Sequence, residues 1–114
     1  YLVEQEATVL GYLKLKLSAP FPGQPEHDAL LLDRIYVRDS VLGKGVGKAL
    51  MNHALQIAQE LEKEIVWLVC MDSSPQPINV YERHGFIKNS AFRLDYPFVK
   101  DEYRGMYRMK KICR

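Results

Sequence analysis

One short cluster in this chain has residue types and spacing suited to chemistry: Gly43-Lys44-Gly45-Val46-Gly47-Lys48. It stands between an apolar run, Ala29 to Val37, and an amphipathic stretch from Gly45 to about Glu62. Glycines let a backbone turn tightly and approach a ligand with no side chain in the way. The first amides of a helix have no partner within it and carry the positive end of its dipole. With Lys44 and Lys48 beside them, they form an anion site whose natural guest is a pyrophosphate.

Several cofactors use a glycine-rich turn before a helix, and two of them fit poorly. A P-loop needs Ser or Thr after its lysine to hold magnesium, whereas Lys48 is followed by Ala49. A dinucleotide fingerprint needs G-x-G-x-x-G and an acidic residue on a second parallel strand, and neither is evident.

The elements that must position this turn follow from periodicity. Tyr1 to Glu6 and Thr8 to Leu17 read as strands joined by a tight turn, and Ser18 to Asp28, with its prolines, reads as a loop. Ala29 to Val37 is a third strand whose Leu30-Leu31-Leu32 run predicts burial on both faces and a central position. The helix from Gly45 carries the stripe Val46, Ala49-Leu50, His53-Ala54, Ile57-Ala58 and Leu61, with His53 packed at or beside it. Ile65 to Met71 is a fourth strand. A short helix follows over Ile78 to His84, started by Ser74 before Pro75 or Gln76 before Pro77 and stopped by Gly85. Phe86 to Arg93 and Tyr103 to Ile112 complete the chain as strands. The order β-β-β-α-β-α-β-β predicts an α/β (α+β) fold, a mixed, mostly antiparallel sheet with packed helices.

Composition narrows the function. The 114 residues, 47% hydrophobic, suit one compact domain spanning 1–114. Sixteen basic and fourteen acidic residues give a net charge of +2, too balanced for a nucleic-acid coat. The basic C-terminal segment alternates with Met106, Tyr107, Met109 and Ile112, which reads as a strand with a charged outer face. Cys70 and Cys113 make neither a disulfide framework nor a metal site, and Cys70, in an apolar strand, is expected as a buried thiol. With no apolar run of membrane-spanning length and no signal peptide, neither a membrane partner nor a metal is expected, and a reducing cytoplasm is the default location.

Three segments taken together are more specific than any one of them: Ile35-Tyr36-Val37 ending a strand, Leu42-Gly43-Lys44-Gly45-Val46-Gly47, and Tyr81-Glu82-Arg83-His84-Gly85-Phe86. The set resembles the GNAT family of N-acetyltransferases over nearly the whole chain. The resemblance implies acetyl-CoA as co-substrate, with the backbone of Ile35, Tyr36 and Val37 along its pantetheine arm. It places the pyrophosphate on the amides from Gly43 to Lys48 and makes Tyr81 the acid that protonates the departing thiolate. Leu42 stands where the family has Gln or Arg, Ser74 where an Asn commonly contacts the cofactor, and Pro77 where a small Ala is usual. Asn79 offers a substitute for the contact in doubt at Ser74. Against the family pattern the chain begins at the second strand, so the domain is expected to be N-terminally incomplete, lacking the first strand and the helices that wall the acceptor pocket. Strand exchange within a homo-oligomer is then open.

Direct transfer needs a neutral amine, so a base or a water chain must take its proton. Asp33 is the leading base, because alternation puts it on the strand face of Ile35 and Val37, and an ordinary ion pair with a basic neighbour is its structural alternative. Asp72 is a weaker candidate. An amide near Tyr36 or Val37 would stabilise the developing oxyanion, as the resemblance implies. Residues Ser90 to Met109 are similar in pattern to bacterial polyamine acetyltransferases, and Asp95, Asp101 and Glu102 could attract a cationic small-molecule amine. A protein amino group is a second acceptor class. A non-catalytic acetyl-CoA sensor and a nucleotide-binding regulator are the readings of other kinds.

Overall fold

A computed structural model describes residues 2–5, 8–38, 45–73 and 75–113, so Gly43, Lys44 and Ser74 lie outside the described residues. The elements are β1 (Leu2–Gln5), β2 (Thr8–Lys16), β3 (Ala29–Val37), α1 (Val46–Glu60), β4 (Ile65–Met71), α2 (Pro75–Arg83), β5 (Ile87–Arg93), a 3-10 turn (Asp101–Tyr103) and β6 (Gly105–Ile112). Every expected strand and helix is present. The one extended element is α2, which begins at Pro75 rather than Ile78. Proline suits the first helical position, where its missing N–H costs nothing.

The chain divides into two compact units, residues 1–66 with 113–114, and residues 67–112. In the first, β1, β2 and β3 form an antiparallel meander. Helix α1 packs on one face of it through Leu50, Met51, Ala54 and Ala58, all at 0% exposure. That face lies one step from the expected stripe, because Met51 is buried while Ala49 is exposed. Gly11 makes the close approach possible. A Cβ there would sit 2.6 Å from the Tyr36 carbonyl oxygen, with Val46 at 3.1 Å and Leu50 at 3.2 Å. Leu30 and Leu32 are buried and Leu31 half-buried, so both faces of β3 are covered over this stretch. The proline-rich loop is held firmly as well. Phe21 is 1% exposed, Lys63 donates to Asp28 at 2.9 Å, and His27 pairs with Glu64 at 2.9 Å.

In the second unit the strand order is β4-β6-β5, with β5 and β6 antiparallel. Trp67, Leu68, Ile78, Phe86 and Met109 form its buried apolar set. The charged-outside pattern expected for β6 holds only in part, since Lys110 is 8% exposed and Ile112 63%. Lys88 over Tyr107 at 4.8 Å and Arg108 over Phe92 at 4.3 Å show how the strand's basic residues and their neighbours use aromatic faces. No helix among the described residues is long and apolar enough to cross a membrane.

Candidate active site

The candidate anion site starts where β3 ends. Gly45 precedes α1 in the left-handed region, φ 84°, which favours glycine. The first backbone bond of the helix runs from Ala49 N to Gly45 O, at 3.0 Å. The amides of Val46, Gly47 and Lys48 therefore have no partner inside the helix. No side chain caps this end and no acid lies in its first turn, so the positive pole is uncompensated from within the helix. Lys48 is exposed. Among the described residues, a Cβ on Gly47 would meet only Val37 Cγ2, at 3.4 Å, an ordinary contact. Packing among the described residues therefore does not require glycine at 47, although glycine is a poor helix former. Amides left unpaired at a helix start suit a phosphate-bearing guest.

The strand side of this site departs from simple alternation. Arg34 faces Lys14 across the β2–β3 ladder and Leu32 faces Leu15, which leaves Asp33 as the extra residue of a bulge. A bulge shifts the side-chain parity. Leu13 and Ile35 form one cross-strand pair, next to Gly11 and Val37 on the α1 side. Asp33 instead pairs with Lys14 at 3.4 Å. The expectation that Asp33 shares the face of Ile35 and Val37 is thus corrected: it lies with Lys14, and the ion pair gives its carboxylate a structural role. On that same outward side Tyr12 and Tyr36 stack with centroids 5.4 Å apart.

Tyr81 owes its position to the end of α2. Phe86 N bonds Tyr81 O at 3.1 Å, Gly85 N bonds Glu82 O at 3.0 Å, and Gly85 has φ 92°. This is the Schellman arrangement, in which the residue after the glycine also touches the helical residue five positions back. Here that contact is Phe86 edge-on to the Tyr81 ring, with centroids 6.1 Å apart. The spacing Tyr-x-x-x-Gly-Phe is therefore a helix stop that orients a tyrosine. Burial, and then the nearby Cys70, push the Tyr81 phenol above its ordinary pKa, so it keeps its proton at neutral pH. Burial likewise raises the Cys70 thiol, against the pull of Lys88, and its sulfur lies 3.6 Å from that of Met109. Asn79 is exposed and sits beyond the first turn of α2, because the helix starts at Pro75. Asp72 lies directly over Gly105, where no Cβ could fit without displacing its carboxylate, and its amide bonds Gly105 O at 3.0 Å. Gly11 and Gly105 went unremarked in the sequence, although a glycine within a strand pattern is the available signal. Among the described residues no group of three or more His, Cys, Asp or Glu could hold a metal.

A glycine-started helix after β3 and a Schellman-oriented tyrosine after β4 are matched by a known family. The Acetyltransferase (GNAT) family matches residues 1–86. The chain belongs to the GNAT acetyltransferases. An N-acetyltransferase encoded in the pepI 3' region of Lactobacillus delbrueckii subsp. lactis is 29% identical over 90 residues, which is 79% of this chain and 52% of that protein. Nourseothricin acetyltransferase superposes with a TM-score of 0.79 at 23% identity, over 96% of this chain and 61% of its own. A GNAT acetyltransferase of Elizabethkingia anophelis, solved with acetyl-CoA bound, gives 0.78 at 15% identity, over 98% of this chain and 74% of its own. At these identities the likeness establishes the GNAT fold, a mixed and mostly antiparallel sheet with helices. The chain spans about half the length of the curated relative it matches.

Proposed function

We propose that residues 1–114 act as one acetyl-CoA-dependent N-acetyltransferase domain that acetylates a primary amine by direct attack in a ternary complex. The single observation that carries this reading is the start of α1. Its amides at Val46, Gly47 and Lys48 are unpaired within the helix, its Gly45 is in a conformation that favours glycine, and among the described residues only Val37 would touch a side chain at 47. Gly43 and Lys44 are assigned to the same anion site by the sequence. Ile35, Tyr36 and Val37 are assigned to the pantetheine arm, and Ser74 and Asn79 to polar contacts with the cofactor. When bound, acetyl-CoA supplies an activated thioester.

The chain's own groups then have definite tasks. Tyr81 holds a proton on its phenol at neutral pH, as an acid for a departing thiolate must. Asp33 is the assigned base, and in that role it accepts the amine's proton from its place beside Lys14. A strand amide at Tyr36 or Val37 is assigned to the developing oxyanion. A small amine in its cationic form would draw on Asp95, Asp101 and Glu102. Of these, Asp101 is already paired with Arg104 at 3.1 Å.

Thermal shift of the full-length protein with acetyl-CoA, CoA, ATP and NAD tests the cofactor by mass action. Stabilisation by the two CoA ligands alone is the expected result, and none with either removes the transferase reading. Tyr81→Phe then separates an enzyme from a sensor. The enzyme loses turnover and keeps CoA affinity, whereas a binding module is unaffected.

A further inference from the structure

The face of β2 and β3 turned away from α1 carries a group of side chains that the anion site and Tyr81 do not use. Tyr12 and Tyr36 form an offset stack, interplanar angle 26°, and Tyr36 remains 46% exposed. Arg34, one step along the outward side from Tyr36, is exposed and lies diagonally across the ladder from Tyr12, since Lys14 faces Arg34 and Tyr12 faces Tyr36. Among the described residues no carboxylate lies within ion-pair distance of Arg34, because Asp33 points to Lys14 instead. The bulge at Asp33 brings all this about: it turns an acid and a base, adjacent in sequence, onto the same side of the sheet.

We propose that this face is the acceptor subsite and that the acceptor is a small amine that also carries a carboxylate, such as a free amino acid. The inference rests on the transferase reading above. An exposed guanidinium beside this aromatic pair offers a planar fork that matches a carboxylate in bidentate fashion. The stacked tyrosines offer a flat apolar surface for the body of the acceptor. Asp33 stands next to Arg34 for the ammonium end, and its exposed pair with Lys14 is weak enough to open. The same residues discriminate against a polyamine. Its second cation would lie among Lys14, Lys16 and Arg34, all exposed bases on or beside this face, and like charges disfavour it. These residues also continue the strand assigned to the pantetheine arm, which is where an amine has to be presented.

The test uses the full-length protein loaded with CoA or acetyl-CoA. Calorimetric binding and kcat/KM are measured for a panel of L-amino acids, the matching amino acid amides and spermidine. The expected result is at least one amino acid that binds and is acetylated about tenfold or more better than its amide and than spermidine. Arg34→Gln should abolish that preference, mainly through KM, and leave CoA binding and the melting temperature unchanged. Arg34→Lys should restore only part of it, since a point charge replaces a fork. Equal use of amides or a preference for spermidine overturns the proposal. So does CoA binding without acetylation of any carboxylate-bearing amine, or an Arg34→Gln variant that keeps the preference. Absence of CoA binding overturns the transferase reading itself, and that outcome is distinct from all the others.

Discussion

Gly47→Ala has two effects of opposite sign, which makes it the sharpest test of the anion site. In the protein alone the added methyl would meet, among the described residues, only Val37 Cγ2, at 3.4 Å, an ordinary contact. Gly47 lies in the first turn of α1, where alanine is the better helix former by about 0.5–1 kcal/mol. That gain corresponds to a melting temperature roughly 2–6 °C higher for a domain of this size. With a pyrophosphate over the helix start the same methyl stands between ligand and amides. Displacing the phosphates by about 1 Å breaks one or two charge-assisted hydrogen bonds, each about 1.5–3 kcal/mol. Affinity for CoA should then fall about 10- to 150-fold for each bond lost. Apo stability is read by urea denaturation and CoA affinity by isothermal titration. A variant that is more stable and binds CoA as tightly as before would refute the placement of the pyrophosphate on these amides.

The other substitutions probe different links. Gly11→Ala pushes a Cβ against the Tyr36 carbonyl at 2.6 Å and into the first turns of α1, so it should cost about 1–3 kcal/mol and weaken CoA as well, read by the same two assays. Tyr81→Phe should lower kcat about 10²- to 10⁴-fold with CoA affinity intact, as steady-state kinetics and titration would show. Because the phenol is shifted up from about 10, it stays protonated while the amine loses its proton. The native pH–rate profile should therefore rise through neutral pH and fall only above the ordinary phenol range. The same shift means that Tyr81 costs no stability below about pH 10, where neither state ionises it, and disfavours folding as pH rises beyond that. Asp33→Asn removes an exposed ion pair with Lys14, about 0–1 kcal/mol, so the melting temperature should barely move. If Asp33 is the base, kcat/KM falls at least tenfold. An unchanged kcat/KM leaves Asp33 with its ion pair alone.

What the sequence determined by itself was the part that is local. Apolar periodicity predicted each strand and α1, and Gly85 marked the end of α2 because a positive φ acts where it stands, whereas the start was expected at Ile78, with Pro75 one of two candidate signals, and lies at Pro75. The glycine turn declared an anion site for the same reason: unpaired amides are a property of any helix start. What only tertiary structure decided depends on partners distant in the chain. The side of Asp33 could not be had from alternation, because a bulge is a mismatch in count between two strands and is visible only when they are paired. Gly11 looks like an indifferent strand glycine until Val46 and Leu50 are laid against it. The rise in the Tyr81 pKa needs its burial and the neighbouring Cys70. Arg34 becomes a fork for a carboxylate only once the register sets Tyr12 beside Tyr36 and turns Asp33 to Lys14. Hydrogen bonding along the chain is written in residue types, while side-chain facing across a sheet is fixed by register, which no single strand contains.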